Sequence, residues 1–294
     1  MIFRRILFAL PLFFCFSGVF SSSAKAAPYA VAERPTPVLN TPDFRVPFGG
    51  RDGRTLNLDR SGLIREVEFI ALPGTVFEVV DSFRVAEAVI LRVVTPDYPA
   101  PASGLFIDSR FVKMSSKAPP PRARRLPSMN EILDRMARME GVRYVWGGNV
   151  PGGIPELLQY YPPAGKLTLR ETALWTLRGV DCSGLLYEAT NGATPRNTSD
   201  MIYYGEPVDI QGLSAEAIAA RLRPLDLIVW KGHVIIVFDE KHTIESCLSC
   251  TPGGGVTFRN LHAVLREIMA SRRPVNHYPE RGGQKAFVVR RWYP

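Results

Sequence analysis

The stretch RGVDCSGLLYEATNG, residues 178–192, determines how the rest of the chain is interpreted. Its cysteine, Cys182, stands between an aspartate and a Ser-Gly pair, where an apolar helical run begins. A cysteine that only fills a core would more naturally lie inside such a run, and a disulfide cysteine would need a partner of its own. At a helix start, unpaired N–H groups and the helix dipole stabilise a thiolate, and the same groups can donate to an oxyanion. The position therefore favours a reactive thiol.

The first 26 residues have the features of a secretory signal peptide. They begin with the basic MIFRR, continue with about 15 apolar residues that include a proline, and end in the small residues SSSAKA. Cys15 follows LFF rather than small residues, which argues against lipidation. We therefore expect an exported protein, periplasmic or extracellular, without stable membrane insertion once residues 1–26 are removed.

Export also decides how the remaining cysteines are interpreted. After the signal peptide the chain keeps Cys182, Cys247 and Cys250. In an oxidising compartment the last two, in CLSC, are expected to pair locally or to remain plain thiols, which leaves Cys182 without a partner. They could instead be two zinc ligands completed by His242 or His262, but these spacings match no familiar zinc site. We predict no metal and no cofactor.

The composition is that of a globular protein of moderate basicity. With 46% hydrophobic and 22% charged residues, the chain is not of the disordered class. Its net charge of +8 fits an anionic surface or substrate, but a solvated basic face explains it equally well. The strongest basic cluster, PPPRARRLP at 119–127, is dominated by proline, so we interpret it as a linker and predict no nucleic-acid binding.

The chain divides into two parts of different character. Residues 27–117 have a proline-rich lead-in to residue 44, followed by short β-branched and aromatic runs with Gly and Pro between them, a spacing typical of a small β-barrel. Residues 118–127 are the Pro/Arg-rich linker. Residues 128–294 begin with a helix opened by the capping box of Ser128 and Glu131, and later combine a helix over 182–190 with several strands. The second part is therefore predicted to be an α+β domain.

His233 and Glu245 are the candidate partners of Cys182. His233 opens the predicted strand HVIIVF, where an imidazole could serve as general base and acid. If residues 239–241 form a three-residue turn, Glu245 lies one diagonal step from His233 on the same face of the sheet, and His242 lies on the other face. A carboxylate there would hold the imidazolium by accepting its Nδ1 proton.

Each of the three also has an ordinary structural interpretation. A lone cysteine is more often a buried apolar residue, a histidine before a strand is more often structural, and most glutamates are solvated. A cysteine and a distant histidine say little by themselves, because many unrelated proteins contain both. The surrounding sequence is what separates these interpretations.

Five short elements, YVWGG, DCSGLLYEAT, TPRNTSDMI, LRPLDLIVWKGHVIIVF and HTIESC, follow one another over about residues 128–250. In this order they resemble the NlpC-type family of bacterial cell-wall cysteine peptidases. The resemblance implies a papain-like catalytic domain over 128–294. PGTVFEVV and FIDSRFVK, in 27–117, are similar to parts of the bacterial SH3-like β-barrel domain often attached to such enzymes.

The resemblance also implies a role for each matching position. Cys182 would be the nucleophile, His233 the base and Glu245 the third member, where the family usually carries His, or sometimes Asn or Gln. The substrate site would include Tyr144, Trp146, Asp181, Ser183, Arg196 and Thr198. The long stretch 149–181, far shorter in some family members, would either cap the cleft or be peripheral.

The predicted function is an exported cysteine endopeptidase that hydrolyses peptidoglycan stem peptides. The resemblance implies cleavage of the D-γ-glutamyl–diamino acid bond, with intact peptidoglycan or released stem peptides as the binding partner. It also implies that the SH3-like domain can close one end of the cleft. Two alternatives remain: an amidase or acyltransferase on the same scaffold, and a non-catalytic wall-binding protein. The pairing of Cys182 with His233 argues against the second and does not exclude the first.

Overall fold

The computed structural model describes residues 28–50, 52–282 and 285–294. The predicted signal peptide, 1–26, lies outside the described residues. The described chain combines helices and antiparallel sheets, in agreement with the predicted α+β class. No helix within these ranges has the length and apolar character that a membrane span requires.

The N-terminal region forms one antiparallel sheet with the strand order β5-β2-β8-β7-β6-β1-β9, and a separate β3-β4 pair. The strands are short runs rich in apolar, β-branched and aromatic residues, and glycines and prolines separate them, as the sequence predicts. Their bounds are β1 Tyr29–Ala32, β2 Thr36–Leu39, β3 Phe48–Gly49, β4 Thr55–Leu56, β5 Val67–Ala71, β6 Val76–Val85, β7 Ala88–Val94, β8 Leu105–Asp108 and β9 Val112–Ser115, with a 3-10 turn at Ser109–Phe111 between the last two.

The second region begins with short elements and then forms helices around a second sheet. The first elements are α1 Met129–Ala137, β10 Asn149–Val150, α2 Glu156–Tyr160, α3 Leu169–Trp175 and β11 Gly179–Val180. The later helices are α4 Cys182–Ala189, α5 Thr198–Met201, α6 Ala215–Ala219 and α7 Leu261–Met269. The later strands are β12 Glu206–Pro207, β13 Leu227–Trp230, β14 His233–Val237, β15 His242–Cys247, β16 Gly255–Asn260, β17 Arg273–Pro274 and β18 Ala286–Arg291. The sheet order is β12-β18-β13-β14-β15-β16, with β17 parallel beside β18.

The long stretch 149–181 packs into the apolar core of the first sheet. Trp175 and Leu157, both fully buried, belong to the same apolar cluster as the sheet residues. Tyr161 stacks on Phe44 at 5.6 Å between ring centroids, and its hydroxyl donates to Asp108 Oδ2 at 2.6 Å. This stretch therefore joins the two regions. The sequence suggested either a cap over the cleft or a peripheral insertion.

The Pro/Arg-rich linker is also held on both sides. Arg124 forms an ion pair with Asp97 of the first region, and the side chain of Arg122, about 8% exposed, lies 3.9 Å from the same carboxylate. Arg122 Nη1 also donates to the carbonyl oxygen of Asn191 at 2.9 Å, just after α4. Arg122 and Arg124 thus have structural partners, where the sequence suggested charge for solubility.

The two regions meet again directly beside α4. The Asn149 side chain accepts from the N–H of Ile70 at 3.1 Å and donates to its carbonyl at 2.9 Å, so it continues the edge of the first sheet. Gly147 has φ +68°, and a Cβ there would lie 2.6 Å from the Val67 side chain. Only glycine permits both this conformation and this approach. The first glycine of YVWGG, Gly147, is therefore explained by its contact with the first region.

Candidate active site

Cys182 is the first residue of α4, as the sequence predicts. Asp181 is the N-cap residue, and its Oδ1 accepts from the N–H of Gly184 at 2.7 Å. A Cβ at Gly184 would lie 2.0 Å from the carbonyl oxygen of Gly148, so the helix start can approach β10 only with glycine there. Cys182 is the free cysteine of the described residues and is about 6% exposed. The DCSG sequence thus places a thiol at a helix N-terminus against a strand.

His233 and Glu245 are brought together by the predicted strand register. Ile236 pairs with Ile244 and Val237 with Thr243, so Glu245 follows on the face of the sheet that carries His233. The ring nitrogen Nε2 of His233 lies 2.6 Å from Glu245 Oε2. The predicted use of Nδ1 is therefore wrong. Since Glu245 takes Nε2, the other ring nitrogen is left for the thiol, and Cys182 lies close enough to raise the pKa of the ring.

His242 takes no part in this arrangement. It is exposed and its Nδ1 lies 3.0 Å from both carboxylate oxygens of Asp239, in the turn between β14 and β15. This agrees with its predicted place on the opposite face from His233, and it makes His242 a natural control position.

The charge state of the His233 ring is set by opposing effects. Burial alone would lower the pKa of His233, but hydrogen bonds to Cys182 and Glu245, together with their negative charges, raise it to about 10. A protonated His233 ring is therefore the favoured state at neutral pH. A thiolate is the nucleophilic form of cysteine.

Glu245 has a further partner that the sequence reasoning missed. Arg259 Nη1 donates to Glu245 Oε1 at 3.1 Å and also forms an ion pair with Glu267. Glu245 pairs with Thr257 across β15 and β16, so Arg259, two residues further, lies on the same face. The alternation of side chains along strands, which places Glu245 beside His233, also places Arg259 of β16 beside Glu245.

Arg196 links the helix start to the neighbouring strand. It is about 3% exposed, and its guanidinium donates to both carboxylate oxygens of Asp181 at 2.9 and 2.8 Å. It also donates to Ser183 Oγ at 2.8 Å, Asn149 Oδ1 at 3.2 Å and the Gly148 carbonyl at 3.1 Å. Asp181, Ser183 and Arg196, predicted to contact substrate, are thus bonded to one another and buried. Their contact with substrate stays a prediction. In the structure, their hydrogen bonds fix the position of the start of α4.

The other predicted substrate residues are Tyr144, Trp146 and Thr198. Tyr144 has a raised pKa, because it is largely buried and lies near the charges of Cys182 and Asp181, so its hydroxyl stays a donor. Trp146 is partly exposed, and the Arg65 guanidinium of the first region lies 4.1 Å from its ring centroid. Thr198 Oγ1 accepts from the N–H of Gly232 at 2.9 Å and so holds the turn before His233.

A pocket of about 410 Å³ opens beside the histidine. Its wall includes His233, Glu245 and Trp230, the loop 247–250, the end of α7, and the side chains of Tyr144 and Arg259. A second, more apolar cavity of about 250 Å³ lies between the first sheet and residues 160–162, and no described residue lines both. We associate the chemistry with the first, because it contains the imidazole.

Cys247 and Cys250 are joined in a disulfide that lines the pocket, which agrees with the local pairing considered above. Their sulfur atoms and a Glu245 carboxylate oxygen lie within 4.8 Å of one another, an arrangement of possible metal ligands among the described residues. Because zinc binds cysteine as the thiolate, the disulfide form does not offer this site.

Comparison with known proteins adds little to the geometry. No family model matches the chain, and no curated protein does so. Among solved structures it is similar to an NlpC/P60 family protein from Bacillus cereus ATCC 10987, with a TM-score of 0.33 and 16% identity over 92% of this chain and 64% of that one. The chain thus spans less than two thirds of that protein's length. A likeness of this size does not establish the function of this chain.

Proposed function

We propose that this protein is an exported cysteine endopeptidase that hydrolyses peptidoglycan stem peptides at the D-γ-glutamyl–diamino acid bond. The observation that carries the proposal is that Cys182, at the start of α4, lies close enough to His233 to raise the pKa of its ring, while His233 Nε2 lies 2.6 Å from Glu245 Oε2. The order of the sequence elements, which resembles that of NlpC-type peptidases, supplies the substrate class and the papain-like and SH3-like assignments.

The geometry supports acyl transfer in two steps. The Cys182 thiolate attacks the γ-carbonyl carbon of the glutamyl residue, and the protonated His233 gives its proton to the departing amine as the C–N bond breaks. His233, now neutral, accepts a proton from the water that attacks the thioester carbon. The C–S bond then breaks, which releases the glutamyl product as a carboxylic acid and regenerates the thiolate and the protonated His233. Glu245, about 1% exposed, stays hydrogen-bonded to Nε2 of the ring and orients it through both steps.

The oxyanion of each tetrahedral intermediate needs donors near the thiol. Backbone N–H groups in the first turn of α4 are suited to this, because the first N–H groups of a helix have no partner within it. Tyr144 is a second candidate, since burial and the nearby negative charges raise its pKa and keep its hydroxyl protonated.

The two alternatives differ in how well the site suits them. A wall-binding protein without catalysis has no use for Glu245, a buried carboxylate held by His233 and Arg259, because burying such charges is costly. An amidase or acyltransferase would need the same thiol and imidazole, and would differ in the bond cleaved or in the acyl acceptor. The peptidase is favoured over these by the sequence resemblance alone.

The test is incubation of the mature protein with defined muropeptides, with product identification by mass spectrometry. We expect release of a fragment that begins at the diamino acid, with Cys182→Ala inactive and His242→Ala, which alters an exposed histidine outside the site, active. Release of an intact stem peptide from the sugar would favour an amidase. Transfer of the acyl group to an added amine at the expense of hydrolysis would favour an acyltransferase. Unchanged muropeptides would contradict the proposal.

A further inference from the structure

Three side chains of metal-binding type meet at the end of β15. A carboxylate oxygen of Glu245 and the sulfur atoms of Cys247 and Cys250 lie within 4.8 Å of one another. Glu245 and Cys247 are two residues apart on β15 and so share a face of the sheet, and the turn that follows returns Cys250 to Cys247. In a tetrahedral zinc site the ligand atoms are roughly 3.5–3.8 Å apart. Small side-chain rotations reach that spacing once the two sulfur atoms are no longer bonded to each other.

The two cysteines have the spacing of half a zinc site. CLSC is a C-x2-C sequence, the spacing that cysteine ligands have in many structural zinc sites. The backbone N–H of Cys250 donates to Cys247 Sγ at 2.8 Å. An N–H directed at sulfur stabilises negative charge there, and the thiolate is the form in which cysteine binds a metal. Neither His242 nor His262 is needed, because Glu245 supplies the third ligand.

The pocket beside His233 gives room for a fourth ligand. Glu245, Cys247 and Cys250 all line this pocket of about 410 Å³. A zinc ion with three protein ligands keeps its fourth position for water or a small molecule. Thiolates select Zn²⁺ over Mg²⁺ and Ca²⁺, which prefer oxygen ligands. The three side chains therefore suit Zn²⁺ bound by two sulfur atoms, one carboxylate and one water.

We propose that Glu245, Cys247 and Cys250 form a zinc site when a dithiol reduces the Cys247–Cys250 disulfide. A thiolate of the dithiol attacks one cysteine sulfur, which breaks the S–S bond and forms a mixed disulfide, and the second thiol of the reductant then displaces the protein sulfur. The reductant leaves as a cyclic disulfide, and the two electrons remain on the two cysteines. Zn²⁺ binds both as thiolates, and any protons on sulfur pass to solvent.

The metal would compete with the imidazole for Glu245. Its Oε1 accepts from Arg259 at 3.1 Å, and its Oε2 lies 2.6 Å from His233 Nε2. Zn²⁺ draws the carboxylate toward the sulfur atoms and away from the ring that it orients. The reduced, zinc-bound protein is therefore expected to hydrolyse its substrate more slowly. This consequence rests on the proposed function, whereas the metal site itself does not.

The binding experiment uses the mature protein with Cys182→Ala, so that no metal binds at the nucleophile. One sample is treated with dithiothreitol, which is then removed without air, and another is left untreated. CoCl₂ is titrated into both, because Co²⁺ held by thiolates shows a charge-transfer absorption and tetrahedral d–d bands, and ZnCl₂ is then added. The same background carries Cys247→Ser with Cys250→Ser, or Glu245→Gln. The controls are His242→Ala and Glu240→Gln, which alters an exposed carboxylate in the turn before β15. Thermal unfolding verifies that each variant folds.

We expect the reduced protein to bind one Co²⁺ per chain with thiolate absorption, and the untreated protein to bind none. Zn²⁺ should displace the Co²⁺, because thiolate sites bind zinc more tightly. Loss of both sulfur ligands should abolish binding. Glu245→Gln should weaken it at least about 10-fold, since even a lost partner of a metal ligand costs that much. His242→Ala and Glu240→Gln should leave the affinity unchanged.

Three results would overturn the inference. They are no Co²⁺ binding by the reduced protein, binding that persists without Cys247 and Cys250, and equal affinity in Glu245→Gln, which would mark a site of two cysteines only.

A second measurement tests the effect on hydrolysis. In reduced protein that retains Cys182, ZnCl₂ should inhibit stem-peptide hydrolysis at a concentration at least about 10-fold lower than in the variant with Cys247→Ser and Cys250→Ser. Equal inhibition of the two would assign the effect of zinc to Cys182 and overturn the competition for Glu245. A metal-free wild type that cleaves no stem peptide would contradict the proposed function, while the Co²⁺ titration would still decide the metal site.

Discussion

Replacing Glu245 with glutamine should move the basic limb of the pH–activity profile to lower pH. The change preserves the size of the side chain and an oxygen that can accept from His233, but removes the negative charge 2.6 Å from Nε2. The carboxylate and the thiolate together hold the pKa of His233 at about 10. Without the carboxylate the imidazolium loses one of its two counter-charges, while Arg259 stays nearby and repels it.

The size of the shift follows from the type of hydrogen bond that is lost. Charge-assisted hydrogen bonds contribute about 1.5–3 kcal/mol and neutral ones about 0.5–1.5, so the exchange removes roughly 1–1.5 kcal/mol. At 1.36 kcal/mol per unit this corresponds to about one pKa unit, and repulsion from Arg259 adds to it. We therefore expect the pKa of His233 to fall by about one to two units, with kcat/KM at high pH falling by roughly 10- to 100-fold.

Two measurements report this directly. The first is kcat/KM on a soluble stem peptide between about pH 6 and pH 11, where the basic limb reports the free enzyme's essential acid. The second is the rate at which iodoacetamide alkylates Cys182, which follows the thiolate held by the imidazolium. His242→Ala is the control, because His242 is exposed and bonded only within its own turn.

The same shift has a consequence for stability. The raised pKa of His233 contributes stability that is fully present below its ordinary value of 6.5 and is lost as the pH rises through about 10. In Glu245→Gln this contribution is smaller, so the free energies of unfolding of the two proteins should converge as the pH rises across that interval. A basic limb that does not move, or one that moves equally in His242→Ala, would refute the assignment of Glu245 as the residue that holds the ring.

Three further predictions concern the nucleophile, its support and the joined architecture. Cys182→Ala should abolish hydrolysis while circular dichroism and the melting temperature stay close to those of the wild type, because the thiol is at the helix start and forms no disulfide. Arg196→Gln should lower the free energy of unfolding in urea by about 3–5 kcal/mol, since it leaves the buried carboxylate of Asp181 without its cation. Residues 118–294 expressed alone should be insoluble or bind hydrophobic dyes, because Trp175 would lose the core in which it is fully buried.

Each of these has an outcome that would contradict it. Residual activity of Cys182→Ala above that of buffer would end the covalent mechanism. A loss of less than about 1 kcal/mol in Arg196→Gln, matched by the exposed control Arg266→Gln, would show that the ion pair is not needed for stability. A folded, monomeric 118–294 fragment would show that the stretch 149–181 does not depend on the first sheet.

What the sequence could predict depended on whether a regular repeat was available. The position of the Cys182 thiol could be predicted because the sequence marks a helix start there. The pairing of His233 with Glu245 could be predicted from the alternation of side chains along strands. Which ring nitrogen of His233 faces Glu245 could not be predicted, because it depends on the torsion angles of the His233 side chain. Arg259 was within reach of the same alternation, one strand further on, and was missed.

Contacts made through irregular chain could not be predicted in this way. Arg196 and Asp181 form an ion pair although they lie 15 residues apart in the sequence. Neither helical nor strand periodicity relates the two positions. The apolar residues of 149–181 indicated burial but not the surface against which they are buried. In both cases the partner is chosen by tertiary packing, which a single sequence does not display.

The disulfide that lines the pocket has a practical consequence for handling the protein. Reductants are routinely added to keep an enzyme's thiol from oxidising, and Cys182 can pass to sulfenic and higher acids without them. The same reductants attack the Cys247–Cys250 bond by thiol–disulfide exchange, on the strand that carries Glu245. A dithiol and a weak monothiol would therefore yield different mixtures of sulfur states at equal protein concentration. The specific activity of a preparation then depends on the reductants to which it was exposed as well as on its purity.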